Sequence, residues 1–125
     1  MPTPEQVMRA YVALWNATDE QARRRLAETV LTEDAAVIYP TIAASGRDGV
    51  VAALGRFHEQ VPGASFEETS GVEQHHGWLR ASWRLVQTGG KVRLEGEDVA
   101  ELAEDGRLRR VLGFHNPLPS CPSSD

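Results

Sequence analysis

The chain has 125 residues, 41% of them apolar and 25% charged, enough to close one hydrophobic core and too few for two ordinary ones. A formal charge of -5 excludes the broad basic footprint that nucleic-acid binding requires. No apolar run approaches the ~20 residues of a spanning helix, and Met1–Gln6 has no leader character, so the expected address is the cytoplasm, with no membrane partner.

Thr3, Pro4 and Gln6 form a capping-box start with proline at the first helical position, where its missing N–H does no harm. The spacing predicts a helix from Pro4 to about Ala17, with an apolar stripe of Val7, Tyr11, Leu14 and Trp15. Asp19 caps a second helix reaching about Leu31, with Ala22, Leu26 and Val30 inward. Its run Arg23, Arg24, Arg25 is the one dense basic cluster and reads as a solvated helix face.

Ala35–Tyr39 is β-rich and ends at Pro40, which predicts a brief strand at a sheet edge. Ser45–Asp48 turns into a third helix, Gly49 to about Gln60, whose inward stripe is Val50, Leu54, Phe57 and Val61 and which Pro62-Gly63 stops. Four strands follow: Phe66–His76, Trp78–Gln87, Lys91–Ala103 and Arg107–His115. Gly89-Gly90 and Asp105-Gly106 are two-residue hairpin signals. Residues 1–116 therefore read as one α+β domain and 117–125 as a flexible Pro/Ser tail, which carries the lone Cys121 and assigns it no chemistry.

The hairpins aim side chains. A two-residue loop at Gly89-Gly90 pairs Thr88 with Lys91, hence Leu85 with Leu94, Trp83 with Gly96, Ala81 with Asp98 and Leu79 with Ala100, all on one face because side chains alternate along a strand. That face is apolar except for Asp98. The other face matches Arg84 with Glu95 and Ser82 with Glu97. Counting across Asp105-Gly106 sets Asp98 opposite Gly113 and Gly96 opposite His115, so a histidine joins the acid, and the two glycines leave open space beside it. A bulge would shift this register by one. A carboxylate on an apolar face must be protonated, paired or at a wet cavity, since burying a bare charge is costly enough to move its pKa instead.

Other candidates are weaker. His75 and His76 cannot share one strand face; the phase from Phe66 and Val72 favours His76 as the inward one, and a bulge at Gly71 would reverse this. Trp15, Phe57 and Trp83 read as core or pocket wall. No His, Cys or carboxylate spacing suits a metal, and no nucleophile elbow, phosphate loop or dinucleotide fingerprint occurs, so no cofactor is expected. Val99, Leu112 and Phe114 make an apolar patch on the opposite sheet face, which suggests a partner.

The order of elements resembles the nuclear transport factor 2-like cone fold, in its branch of ketosteroid isomerases and SnoaL-like polyketide cyclases. The resemblance is carried by Arg9-Ala10-Tyr11-Val12-Ala13-Leu14-Trp15-Asn16-Ala17-Thr18-Asp19, by Glu33-Asp34-Ala35-Ala36-Val37-Ile38-Tyr39-Pro40, by Ser45-Gly46-Arg47-Asp48 and by Glu97-Asp98. It implies a cone-shaped, curved antiparallel sheet wrapped around three N-terminal helices (α-α-β-α-β-β-β-β), and a homodimer through the Val99, Leu112 and Phe114 face. In steroid isomerases of this branch, a first-helix tyrosine and a protonated acid on a late strand hold the substrate oxyanion, while a carboxylate before the strand-ending proline moves the proton. Tyr11 looks like that tyrosine and Asp98 like that acid. Tyr39 stands where the base would be, and a phenol with an ordinary pKa of about 10 is a poor base at neutral pH, so steroid isomerisation is not expected.

Two readings stand. In one, the protein is an acid-base enzyme of the cyclase, isomerase or epoxide-hydrolase sort, with Asp98 acting on a small lipophilic ligand, helped by Tyr11, Tyr39 or a histidine. In the other it is a non-catalytic binding or assembly module with a closed pocket plugged by Trp15, Phe57 and Trp83. A cavity of roughly 300 Å³ or more favours the first, and a closed core favours the second.

Overall fold

The computed structural model describes residues 2–117. Helix α1 spans Pro4–Asn16, and its predicted capping box is formed: Gln6 N–H donates to Thr3 Oγ1 at 3.1 Å while Thr3 N–H donates to Gln6 Oε1 at 2.8 Å. Its inner face is Val7, Met8, Tyr11, Leu14 and Trp15. Helix α2 spans Glu20–Val30 with Asp19 as its cap, accepting from Ala22 N–H at 2.9 Å. The fully buried face of α2 is Arg23, Ala27 and Val30; of the expected stripe, Val30 is buried and Leu26 packs against the core half-buried, while Arg23 and Ala27 take the innermost places instead of Ala22 and Leu26. Arg24 and Arg25 are exposed, but Arg23 is buried and donates to the Ala17 carbonyl at 3.0 Å, where a guanidinium meets the negative end of α1.

Strand β1, Leu31–Tyr39, turns through Pro40 and Thr41 into β2, Ile42–Ser45, a strand too short and small-residued to stand out in the sequence. This corrects the expected edge position of Ala35–Tyr39. Strand β2 is the edge, and β1 lies between it and the last strand. Helix α3 spans Gly46–Gln60, packing Val50, Val51, Ala53 and Leu54 inward with Phe57 half-buried.

The expected strand Phe66–His76 is two: β3, Ser65–Glu68, and β4, Glu73–His75. Both pair with β5, Trp78–Gln87, and the gap is bridged by Thr69 N–H to the Ser82 carbonyl at 3.0 Å and Ser82 N–H to Ser70 Oγ at 2.8 Å. Strands β6, Lys91–Leu102, and β7, Leu108–Asn116, complete a seven-stranded sheet ordered β2-β1-β7-β6-β5-β3, with β4 also on β5. The sheet is curved and unclosed, and mixed rather than purely antiparallel, because β1 runs parallel to β7.

The register beside Asp98 is the expected one, by an unexpected route. Gln87, not Thr88, faces Lys91, so the loop has three residues, and a bulge between Leu85/Leu94 and Val86/Val92 restores the count. The β6–β7 hairpin behaves alike: Ala103 N–H donates to the Arg107 carbonyl around a loop of Glu104, Asp105 and Gly106, and an irregularity between Glu101 and Leu102 returns the pairing to Asp98↔Gly113 and Gly96↔His115. A three-residue loop ending in a left-handed glycine, here Gly106 at φ 86°, is the standard partner of such a bulge.

The inner sheet face, with Val37, Leu79, Ala81, Ala100, Leu108 and Val111, closes on the three helices. Among the described residues, no helix is long and apolar enough to cross a membrane. The expected tail and Cys121 fall on residues 118–125, outside the described part.

Candidate functional site

Four elements converge on one polar thread inside the apolar core. Helix α1 turns Tyr11 and Trp15 inward from adjacent turns, since residues four apart share a helix face. The last residue of β1 contributes Tyr39, β5 contributes Trp83, and β6 contributes Asp98. The Tyr11 and Tyr39 hydroxyls lie 2.8 Å apart, and the Trp83 indole N–H donates to Asp98 Oδ1 at 3.0 Å. Asp98 is 5% exposed and Tyr11 1%, so this cluster has left water almost entirely.

Burial sets its titration. Desolvation pushes the Asp98 carboxyl up to about 7, raised further by Glu97 and held back by hydrogen bonds from Tyr39 and Trp83. Burial likewise raises Tyr11 far above the usual phenol range, with the neighbouring Asp98 charge adding to the effect. Tyr39 is raised by burial and then by Tyr11 and Asp98. Both phenols stay neutral at any ordinary pH, and Asp98 is the group that exchanges a proton near neutrality. Tyr39 therefore cannot act as a base.

The cavity at this thread is lined by Tyr11, Val12, Trp15, Tyr39, Phe66, Trp83 and Asp98, and its volume is about 20 Å³. That is room for about one water molecule. The glycines beside Asp98 do not leave open space, contrary to expectation. A Cβ on Gly113 would overlap the Tyr39 ring, and one on Gly96 would overlap Trp83. These glycines are seats for rings. Aromatic edge-to-face contacts fill the rest: Trp15 on Tyr39 at 5.2 Å, on Phe57 at 5.5 Å and on Phe66 at 5.1 Å, and Phe66 on Trp83 at 5.6 Å.

Tyr11, Tyr39, Asp98, Trp15 and Trp83 are thus brought together, and three other candidates are not. Phe57 stands behind Trp15 and does not line the cavity. His115 is half-buried with its ring 6.2 Å from that of Trp83, and it makes no hydrogen bond to Asp98. His76 does not turn inward. It and Gly77, at φ 51° and 81°, form the two-residue turn of the β4–β5 hairpin, and leaving the strand geometry frees the side chain from strand alternation. Both histidines are exposed, Nδ1 to Nδ1 at 3.1 Å. No group of three or more metal-ligating side chains occurs among the described residues.

Phe66 and Val12 line the cavity but were not singled out from the sequence. The usable signal for Phe66 was Asn16, whose side-chain amide pairs with the Phe66 backbone on both sides: Phe66 N–H to Oδ1 at 2.7 Å and Nδ2 to the Phe66 carbonyl at 3.0 Å. A larger groove, about 390 Å³, opens at the start of α3 between Arg24, Glu28, Glu33, Arg47 and Asp48. Its cations are already engaged, Arg24 with Asp48 and Glu20 and Arg47 with the Leu31 carbonyl, so neither arginine is free to hold an anionic ligand.

The family model described as SnoaL-like domain matches residues 8–111. The chain belongs to the SnoaL-like family. Among solved structures, this SnoaL-like chain is similar to a family member from Agrobacterium tumefaciens described as a candidate isomerase, with 29% identity over 89% of this chain and 95% of the other and a TM-score of 0.85. It is also similar to a candidate SnoaL-like polyketide cyclase from Jannaschia, 15% identical over 93% and 90% of the two chains, TM-score 0.67. A protein of unknown function with a cystatin-like fold from Methylobium petroleophilum is 18% identical over 97% and 80%, TM-score 0.74. The latter two likenesses concern the fold alone. No curated protein matches the chain.

Proposed function

We propose that this SnoaL-like protein binds a small lipophilic molecule against Asp98 and acts on it by acid-base chemistry, Asp98 giving and taking the proton while Tyr11 and Tyr39 act as neutral hydrogen-bond donors. One observation carries the reading: a carboxyl 5% exposed and titrating near 7, in an aromatic box that contains no countercharge. Burying such a group costs stability and returns little packing. A proton donor poised at the working pH is what general acid catalysis needs. The likeness to the candidate isomerase from Agrobacterium tumefaciens supports the same class. The steroid-isomerase shuttle is not part of the proposal, because Tyr39 replaces its base.

Ligand binding requires the rings to part, since about 20 Å³ holds no substrate. Thermal-shift screening of lipophilic ketones, epoxides and polyketide-like acids tests the proposal, because a ligand of the folded state raises Tm by mass action. A hit turned over by the wild type and not by a folded Asp98→Asn variant is the expected result; turnover retained in that variant removes Asp98 from the mechanism.

The same small volume favours a second reading, a non-catalytic module whose pocket is closed. A screen without hits, together with an unchanged cavity at every pH, would select it. Under either reading we propose a cytoplasmic homodimer, paired through Val99, Leu112 and Phe114.

A further inference from the structure

Neighbouring side chains on a strand point to opposite faces, so an adjacent pair of histidines has no common target there. His75 ends β4 in ordinary pairing opposite Trp78, but His76 has left the strand and makes the hairpin turn with Gly77, at φ 51° and 81°. Histidine is one of the few residues besides glycine that enter this left-handed region readily. The departure undoes the alternation and brings the two Nδ1 atoms to 3.1 Å, with both rings exposed and their planes 78° apart. Neither ring has another hydrogen-bond partner among the described residues.

We propose that His75 and His76 chelate a divalent transition-metal ion, Cu²⁺ in preference to Zn²⁺, through their two Nδ1 atoms. This site lies on the β4–β5 hairpin, apart from the Asp98 cavity, and stands whether or not that cavity is catalytic. The contact as it is shares one proton between the two nitrogens. Moving that proton to Nε2 of the same exposed ring leaves two lone pairs, which a turn about the soft Cβ–Cγ bonds aims at one point. An ion about 2.0 Å from each nitrogen, the usual metal–imidazole length, would subtend roughly 100°, between the right angle of tetragonal Cu²⁺ and the tetrahedral angle of Zn²⁺. The rest of the donor set decides between them. The Glu73 carboxylate is taken by Arg80 at 2.6 Å, and no group of three ligating side chains occurs among the described residues, so the pair lacks the protein ligands that a closed zinc site demands. A tetragonal ion that completes its shell with water fits two imidazoles, and divalent copper binds nitrogen more strongly than zinc does. A groove of about 170 Å³ beside His75, walled by Glu73, Trp78 and Arg80, gives those waters room. The net charge of -5 favours a dication over an anion at this surface.

Calorimetric titration of the full chain with copper(II) sulfate, read together with electron paramagnetic resonance, tests the site. One equivalent should bind with an axial Cu²⁺ spectrum split by nitrogen, and zinc(II) sulfate should bind more weakly. His75→Gln and His76→Asn should each lower the copper affinity roughly tenfold or more, because losing either arm ends the chelate. Asparagine keeps at position 76 a residue at home in a left-handed turn, so His76→Asn separates loss of the ligand from loss of the hairpin. His115→Ala should bind copper as the wild type does. Binding that survives the double substitution His75→Gln with His76→Asn puts the ion elsewhere and overturns the proposal; so does a wild type without saturable copper binding, or one that takes zinc more tightly than copper.

Discussion

Asp98 holds its proton more tightly in the folded chain than in an unfolded one, where a carboxyl titrates near 3.8. Between that value and about 7, the folded state therefore carries a proton that the unfolded state has lost. Stability falls as pH rises through this window, by about 1.4 kcal/mol per unit and on the order of 4 kcal/mol in all. Below the window both states are protonated and above it both are ionised, so the slope vanishes on either side. Asp98→Asn keeps the shape of the neutral acid and removes its titration. Urea unfolding at pH 4.5 to 8.5 should show the variant gaining on the wild type as pH rises; a constant gap between the two would mean that Asp98 is ionised in the fold at low pH or open to water.

Asn16 shows what an element owes to a single side chain. Strand β3 borders β5 on one edge only, and the amide of Asn16 stands in for the missing neighbour by meeting both backbone groups of Phe66. Asn16→Ala leaves that N–H and carbonyl half-buried without partners, at a cost of about 2–3 kcal/mol by denaturant titration and with faster amide exchange at Phe66 than in the rest of the sheet. The elements that sequence could reveal were those with a strong period or a strong cap: α1 through its capping box, and β5 and β6 through alternation that agreed on Asp98. The hairpin count reached the right partners because each loop is one residue longer than assumed and each is followed by a bulge that cancels the error. Strand β2 was hidden by its brevity. His76 was misdirected because a histidine in a left-handed turn gives no signal in an alternation count. The filling of the cavity was illegible, since a glycine reads equally as empty space or as a seat for a ring from another strand.

At the scale of the whole molecule, the sheet has one face on the helices and one that no described element covers. Ile38, Val99, Leu112 and Phe114 cluster on that outer face through the pairing of β1, β7 and β6, with Ile38 44% and Phe114 51% exposed. Charges of both signs ring them: Arg80 bridges to Glu73 at 2.6 Å and to Glu97 at 3.7 Å, and Arg110 lies 3.9 Å from Glu101. A patch of this kind suits a second copy related by a two-fold axis. Light scattering behind size exclusion should give a dimer for the wild type and a monomer for Phe114→Glu, with the circular dichroism of the fold unchanged. A wild-type monomer at tens of micromolar would retire the pairing.

Because the Tyr39 ring occupies the space that a Cβ at Gly113 would need, the order in which the two positions change matters. Alanine at 113 collides with the phenol and should destabilise the native chain by about 1–3 kcal/mol, yet be close to neutral once Tyr39 has become Ala. A thermodynamic cycle across the two positions should return a coupling of that size, and additivity would show that the backbone simply yields. A lineage can therefore carve a binding chamber here by shrinking the phenol first, while any branch that enlarges the glycine first meets a barrier.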